Sequence, residues 1–362
     1  MGVSTPTLPS VEYDDINPGM GTLNKEPKSK GISKRGIYFN PGDVLFGKLR
    51  PYLKNWLFAC FEGVAVGDFW VLTSSKIDHG FTYSLIQTPG FQYIANLSSG
   101  SKMPRSDWGL VSNARTFIPI NHLEQERISS VLFGLDTTIT LHEEKKRQLE
   151  RLKSALLQKM FADKSGYPAI RFEGFDKAWE ERKLKELGDI QTGNTPPTSD
   201  SDNYSLDGVL WVTPTDIKSL VISNTAKKLS QVGVTKARIA KAGSILVTSI
   251  ASIGKNTLLR MDAGFNQQIN SLTPTSENDS YFLLTQSEKW SEKMKQIAAS
   301  ATMQIVNKTE FSNISTYVPV HKEEQEKIGS FFKHLDDTIA LHQQKINNIN
   351  SVKKSLLQKM FI

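Results

Sequence analysis

The side chains from which a catalytic centre could be drawn are few and scattered. Six histidines (His79, His122, His142, His321, His334 and His342) and one cysteine, Cys60, form with one another or with the carboxylates no pair that makes a convincing metal-ligand set. No Walker-type loop, G-x-S-x-G or G-x-G-x-x-G is present. There is also no Asp-Pro-Pro-Tyr-like methyltransferase motif and no Asp…Glu-x-Lys nuclease arrangement. Gln191-Thr-Gly-Asn-Thr-Pro lacks the Lys and the glycines of a phosphate loop and reads as a surface loop. The residues point to a binding protein, with no catalytic residues and no metal site of its own.

The chemistry that does stand out is cationic and polar. Net charge is +7 and the pI about 9.2. Residues 217–261 hold eight Lys or Arg and no Asp or Glu, and residues 25–54 hold eight against two. Charge segregated in this way is the footprint of phosphate binding. In the first half the candidates for nucleic-acid contact are Lys48, Arg50 and Lys54 in Phe46-Gly-Lys-Leu-Arg-Pro-Tyr-Leu-Lys-Asn, with Lys102 and Arg105 in a second loop. In the second half they are Lys218, Lys236, Arg238, Ser249, Ser252, Lys255, Gln267, Gln268, Gln304 and Lys308. Arg forks onto guanine and Gln onto adenine, whereas Lys mostly positions phosphates.

Elements must hold these loops, and a repeat supplies them. Pro119-Ile-Asn-His-Leu-Glu-Gln-Glu…Leu156-Leu-Gln-Lys-Met-Phe161 returns as Pro319-Val-His-Lys-Glu-Glu-Gln-Glu…Leu356-Leu-Gln-Lys-Met-Phe361, offset by 200 residues without a gap. Apolar side chains recur in steps of three and four: Ile128, Leu132, Leu135, Ile139, Leu149, Leu152, Leu156 and Met160 in the first copy. The second has Ile328, Phe332, Leu335, Ile339, Ile346, Ile349, Val352, Leu356 and Met360. That spacing predicts a helix with one apolar stripe, packed along a partner. Acidic first turns after the Pro suit the positive end of the helix dipole. Each helix, if Gly134 leaves the first one unbroken, spans about 57 Å at 1.5 Å per residue. The cheapest partner for such a helix is its own copy, paired antiparallel. His142 and His342 hold matched stripe positions and read as packing or polar register residues.

The duplication extends outside the helices. Gly42-Asp-Val-Leu matches Gly243-Ser-Ile-Leu, and Val11–Ile16 matches Val212–Ile217 at nearly the same offset. The expected organisation is therefore α+β and pseudo-twofold. It has a first domain over 1–118, a central helix over 119–162, a second domain over 163–318 and a last helix over 319–362. Asn40-Pro-Gly-Asp and Ala242-Gly-Ser read as turns feeding buried strands. Tyr281–Ala299 has helical spacing and Thr82–Leu97 shows it more weakly. The first domain has about 30 fewer residues before its matching point than the second (Trp179 to Leu210), so it reads as shortened at its start.

Trp179-Glu-Glu-Arg-Lys-Leu-Lys-Glu-Leu-Gly-Asp-Ile, Thr192-Gly-Asn-Thr-Pro-Pro and Trp211-Val-Thr-Pro-Thr-Asp-Ile resemble a target-recognition domain of the type I restriction–modification DNA specificity subunits. The twice-used Pro…Glu-Gln-Glu…Leu-Asp-x-Thr-Ile…Leu-x-x-Lys-Met-Phe resembles that family's spacer helices. The resemblance implies two recognition domains, each reading half of a split double-stranded DNA site, joined by an antiparallel coiled-coil pair of spacers. It implies docking of two methyltransferase subunits that use S-adenosylmethionine, and of restriction motor-nuclease subunits that use ATP and Mg. No cofactor is expected on this chain itself. The alternatives are a coiled-coil adaptor that does not read DNA and a truncated, half-active specificity subunit.

The composition bounds the setting. A single cysteine excludes an intramolecular disulfide, and no apolar run approaches the length of a membrane span. A cytoplasmic bacterial protein is the expectation.

Overall fold

The computed structural model describes residues 2–5, 7–26, 33–97, 103–300 and 304–361. The chain forms two compact units: residues 1–146 with 341–362, and residues 147–340. Each unit takes in one sheet-rich domain, the first part of the helix that follows it and the last part of the other helix.

In the first unit, β1 (Val44–Gly47) lies between β2 (Trp56–Phe58) and β3 (Phe69–Leu72), antiparallel to both. All four residues of β1 are buried, as befits a central strand covered on both faces. Gly42, at φ +93°, makes the turn that feeds it. A second sheet runs Gly2–Val3, Arg35–Phe39, Gly63–Ala65, Ser10–Val11, the last pair parallel. Phe39, Leu45, Leu57 and Phe69 fill one core; Phe46, Trp56, Tyr83 and Ile86 fill another. The weak helical pattern over 82–97 resolves into two helices, His79–Ile86 and Pro89–Ala95. Thr88 caps the second, and Pro89 at its first position cannot continue the earlier one.

The second unit repeats this plan with more strands. β4 (Glu180–Lys183) and β5 (Gly188–Thr192) flank a helical turn at Leu184–Leu187. β6 (Ile245–Thr248), β7 (Asn256–Leu259) and β8 (Ile269–Pro274) follow, then helix Ser280–Ser300 and β9 (Ser315–Val318). The sheet order is β5-β8-β6-β7 with Val221–Ile222 at the far edge, while β4 pairs with β9. Gly243, at φ +85°, repeats the turn at Gly42.

The long helices run His122–Lys159 and Lys322–Lys359. Gly134 does not interrupt the first. Their pairing is antiparallel, because partner numbers fall as residue numbers rise. Asp136 accepts from Lys353 Nζ at 2.6 Å, His142 meets His342 and Asp336 accepts from Lys153 Nζ at 2.7 Å. In the first unit Ile128, Leu132 and Leu135 pack with Leu356, Leu357 and Met360. In the second, Leu149, Leu156 and Met160 pack in the cluster that holds Ile328, Phe332, Leu335 and Ile339. Ile139 and Ile346 are buried and Ile349 half-buried. Leu152 and Val352 depart from the expected stripe. Both are about half exposed, because a straight 3.6-residue helix drifts off a fixed seam and the seam passes to neighbours such as Leu157 and Leu357.

A polar clamp ties each helix start to its domain, and it occurs twice. Asp78 caps helix His79–Ile86 by accepting from Phe81 N, and its own amide donates to Gln125 Oε1. Asp279 accepts from Phe282 N, and its amide donates to Gln325 Oε1. The Gln of each Glu-Gln-Glu also donates to the carbonyl of the preceding Pro119 or Pro319. These Gln are 2% exposed, so the motif is structural at its centre.

Candidate nucleic-acid interface

At one end of β6 and β8, segments far apart in the chain meet. Ser249 donates its amide to the Gln268 carbonyl, Val306 donates to the Ser249 carbonyl, and Ile250 bridges to Ile305. The 249–255 turn, the 266–268 corner and the 304–308 segment are thereby brought together, carrying Ser252, Lys255, Gln267, Gln268, Gln304 and Lys308. Lys255, Gln267, Gln304 and Lys308 are exposed.

The first unit builds the same junction. Ser106 donates its amide to the Lys48 carbonyl, Lys48 donates to the Asp68 carbonyl, and Leu49 bridges to Arg105. Arg50 donates its amide to Pro104. Tyr13 braces the turn: its hydroxyl donates to the Asp68 carbonyl at 2.6 Å and accepts from Leu49 N at 3.1 Å. Burial pushes that hydroxyl up to about 12, so it stays a donor at neutral pH.

Backbone conformation repeats as well. Arg50 (φ 49°), Lys54 (φ 58°) and Ala251 (φ 64°) are the non-glycine residues with positive φ among the described residues, and Gly254 stands at φ 87°. Left-handed backbone is costly for side-chain-bearing residues and collects where a turn must present particular groups. Here it holds two cations outward on one turn of the first unit.

The Thr192–Thr195 loop, read from sequence as plain surface, is part of the second junction. Asn194 accepts from Arg238 N and donates to the Lys236 carbonyl; Thr192 accepts on its carbonyl from the Arg238 guanidinium; the Thr195 hydroxyl bonds Gln267. A Cβ at Gly193 would sit 2.2 Å from the Phe265 carbonyl oxygen, so only glycine allows this approach. That lone glycine between polar residues was the available signal.

Several candidates are restrained. Ser249 is 3% exposed and its hydroxyl donates to Gln268 O, so it shapes the turn and does not face a ligand. Arg105 pairs with Asp68 at 2.8 Å, and Lys48 lies 4.0 Å from the same carboxylate. Lys236 pairs with Asp200 at 3.1 Å, which holds that carboxyl below its usual range. Lys218 is exposed on the turn after Val209–Val212; among the described residues no hydrogen bond or ion pair joins it to the others. Lys102 lies outside the described residues. What remains is two polar, basic loop clusters on rigid sheet ends, able to contact phosphates and base edges.

Fold and site together define a duplicated recognition module carried on paired helices. Residues 176–351 match the family model described as the type I restriction modification DNA specificity domain. The MjaIX specificity subunit of Methanocaldococcus jannaschii is 26% identical over 193 residues, 51% of this chain but only 44% of that protein. The HindI specificity subunit of Haemophilus influenzae is 23% identical over 389 residues, 85% of this chain and 84% of its own length. The crystal structure of a type I restriction–modification S subunit from M. genitalium covers 99% of this chain and 90% of that one, at TM-score 0.69 and 13% identity. A chain from a study of assembly and conformational transition in the type I system matches at TM-score 0.54, with 18% identity and 97% and 91% coverage. These two show the shared fold. The chain is similar to type I restriction–modification specificity subunits, and the family model takes in its residues 176–351. No helix among the described residues is long and apolar enough to cross a membrane.

Proposed function

We propose that the chain reads a bipartite site on double-stranded DNA, each unit presenting its loop cluster to one half-site. The observation that carries this is the twice-built junction: the same bridge, the same amide contact and the same left-handed turn recur 200 residues apart, with basic or amide side chains exposed on both. The length of the paired helices sets the number of unread base pairs between half-sites. The same helices dock two methyltransferase subunits, which supply S-adenosylmethionine-dependent methylation of adenine. Restriction subunits add ATP- and Mg-dependent translocation and cleavage. The chain itself contributes recognition and no catalytic group.

Titration of duplex DNA with the chain, co-purified with its methyltransferase subunit, tests this across a salt series. Affinity should fall linearly on log–log axes, with a slope set by the number of phosphates neutralised. Salt-independent or absent binding would favour a protein adaptor.

A further inference from the structure

The two loop clusters share one junction, but only the first holds a carboxylate at its centre. The three segments of the second cluster, 249–255, 266–268 and 304–308, contain no Asp or Glu. In the first, Asp68 accepts on its carbonyl from the Lys48 amide, the place held by Gln268 opposite Ser249 in the second. A negative charge on a surface that meets phosphates works against binding. Nor does this side chain hold the turn together. The side chains of Asp15, Asp78, Asp216 and Asp279 each accept from a backbone amide. Among the described residues the Asp68 carboxylate pairs only with cations, Arg105 at 2.8 Å and Lys48 at 4.0 Å.

Both ends of the Arg105–Asp68 pair are fixed by the junction. The Asp68 carbonyl accepts from the Tyr13 hydroxyl as well as from Lys48 N, and the Arg105 backbone bridges to Leu49. Arg105 Nη2 donates to Asp68 Oδ2, and no other hydrogen bond holds the guanidinium among the described residues. Its side chain is still 56% exposed. The rest of its planar fork of donors therefore faces outward. An arginine paired in this way makes a weaker phosphate clamp, because its charge is partly neutralised. Its plane is set before a ligand arrives, so less side-chain entropy is lost in meeting two acceptors on one base edge. Cations suited to phosphate stand nearby in the chain: Arg50 and Lys54 are exposed on left-handed backbone, with no ion pair among the described residues.

We propose that Arg105 forks onto a guanine in the half-site of the first unit, and that Asp68 is its positioning residue. O6 and N7 of guanine present the paired acceptors that such a fork fits in the major groove. The second unit has Ile305 and Gln268 at the matching places and no equivalent pair, so the two half-sites differ at this contact. The inference rests on the DNA-reading function proposed above and names one base of what the first unit reads.

The full chain, co-purified with its methyltransferase subunit, selects bound sequences from a random duplex library; competition titrations then compare a selected duplex with a scrambled one. The parent should select G·C at a fixed position of one half-site. Arg105→Ala should lower that preference about tenfold and leave the other specified positions as they were. Asp68→Asn should lose the same preference while binding the scrambled duplex more tightly, with a steeper salt slope. A like charge is removed there and Arg105 is released to phosphates. A carboxylate that merely shaped the loop would weaken both duplexes together when replaced. The proposal is overturned by that pattern, by an unchanged guanine preference in Arg105→Ala, or by relaxation spread over both half-sites. A parent that binds no duplex overturns the recognition reading itself and this inference with it, a result distinct from binding without the guanine.

Discussion

At the scale of single residues, the candidate interface separates side chains that hold the surface from those left exposed on it. Arg238 spends its guanidinium on the Thr192 carbonyl and its amide on Asn194, so it is a brace. Lys255 is exposed on a tight turn, and Gln267 is exposed while steadied by Thr195. Lys255→Ala should weaken binding to all duplexes alike and reduce the salt slope by about one. Gln267→Ala should cost about 1–3 kcal/mol on the specific site and little elsewhere, because a lost base contact is sequence-selective. Competition titrations with specific and scrambled duplexes measure both; an equal loss on all sequences would remove Gln267 from base reading. Residue type and local charge marked Lys255 and Gln267 as candidates in the sequence, and both lie exposed. Ser249 was not, because its burial depends on pairing with Gln268 across the sheet. Nor was the role of Asn194, which depends on partners more than 40 positions away.

At the scale of elements, the helix pair was the most legible part of the chain, since a period near 3.6 sustained over 38 residues leaves little choice. Which side chains face the seam was less so, as Leu152 and Val352 show. Phe332, fully buried, should be worth about 3–5 kcal/mol on replacement by Ala, read from denaturant midpoints. The histidines add a pH dependence. His142 and His342 face each other with Nδ1 atoms 2.9 Å apart, so one ring donates and the other accepts. Burial, then the facing His142 and the nearby Lys345 and Lys145, hold the His342 imidazole below its ordinary 6.5. A depressed histidine means the unfolded chain takes up its proton first. Its contribution to stability is present above pH 6.5 and is lost as pH falls from there through the lower native value. The double variant His142→Leu, His342→Leu should show a flatter urea midpoint between pH 7.5 and pH 5. Parallel curves for variant and parent would assign the acid sensitivity to other groups.

At the scale of the whole molecule, the 200-residue repeat read from sequence is a repeat of contacts. The Asp78–Gln125 and Asp279–Gln325 clamps recur, as do the Asp136–Lys353 and Lys153–Asp336 bridges. What sequence could not show is that each compact unit draws on both helices, or which strand edges are closed, since both depend on pairing between distant segments. If the helices set the spacing of two half-sites, matched removal of four residues from each shortens them by ~6 Å, equivalent to about two base pairs. Selection of bound sequences from a random duplex library, by the chain with its methyltransferase subunit, tests the central claim most directly. The account predicts two short specified blocks separated by a fixed unread gap, with that gap altered and both blocks retained in the shortened variant. A single continuous block, or a gap unchanged by the shortening, would contradict it.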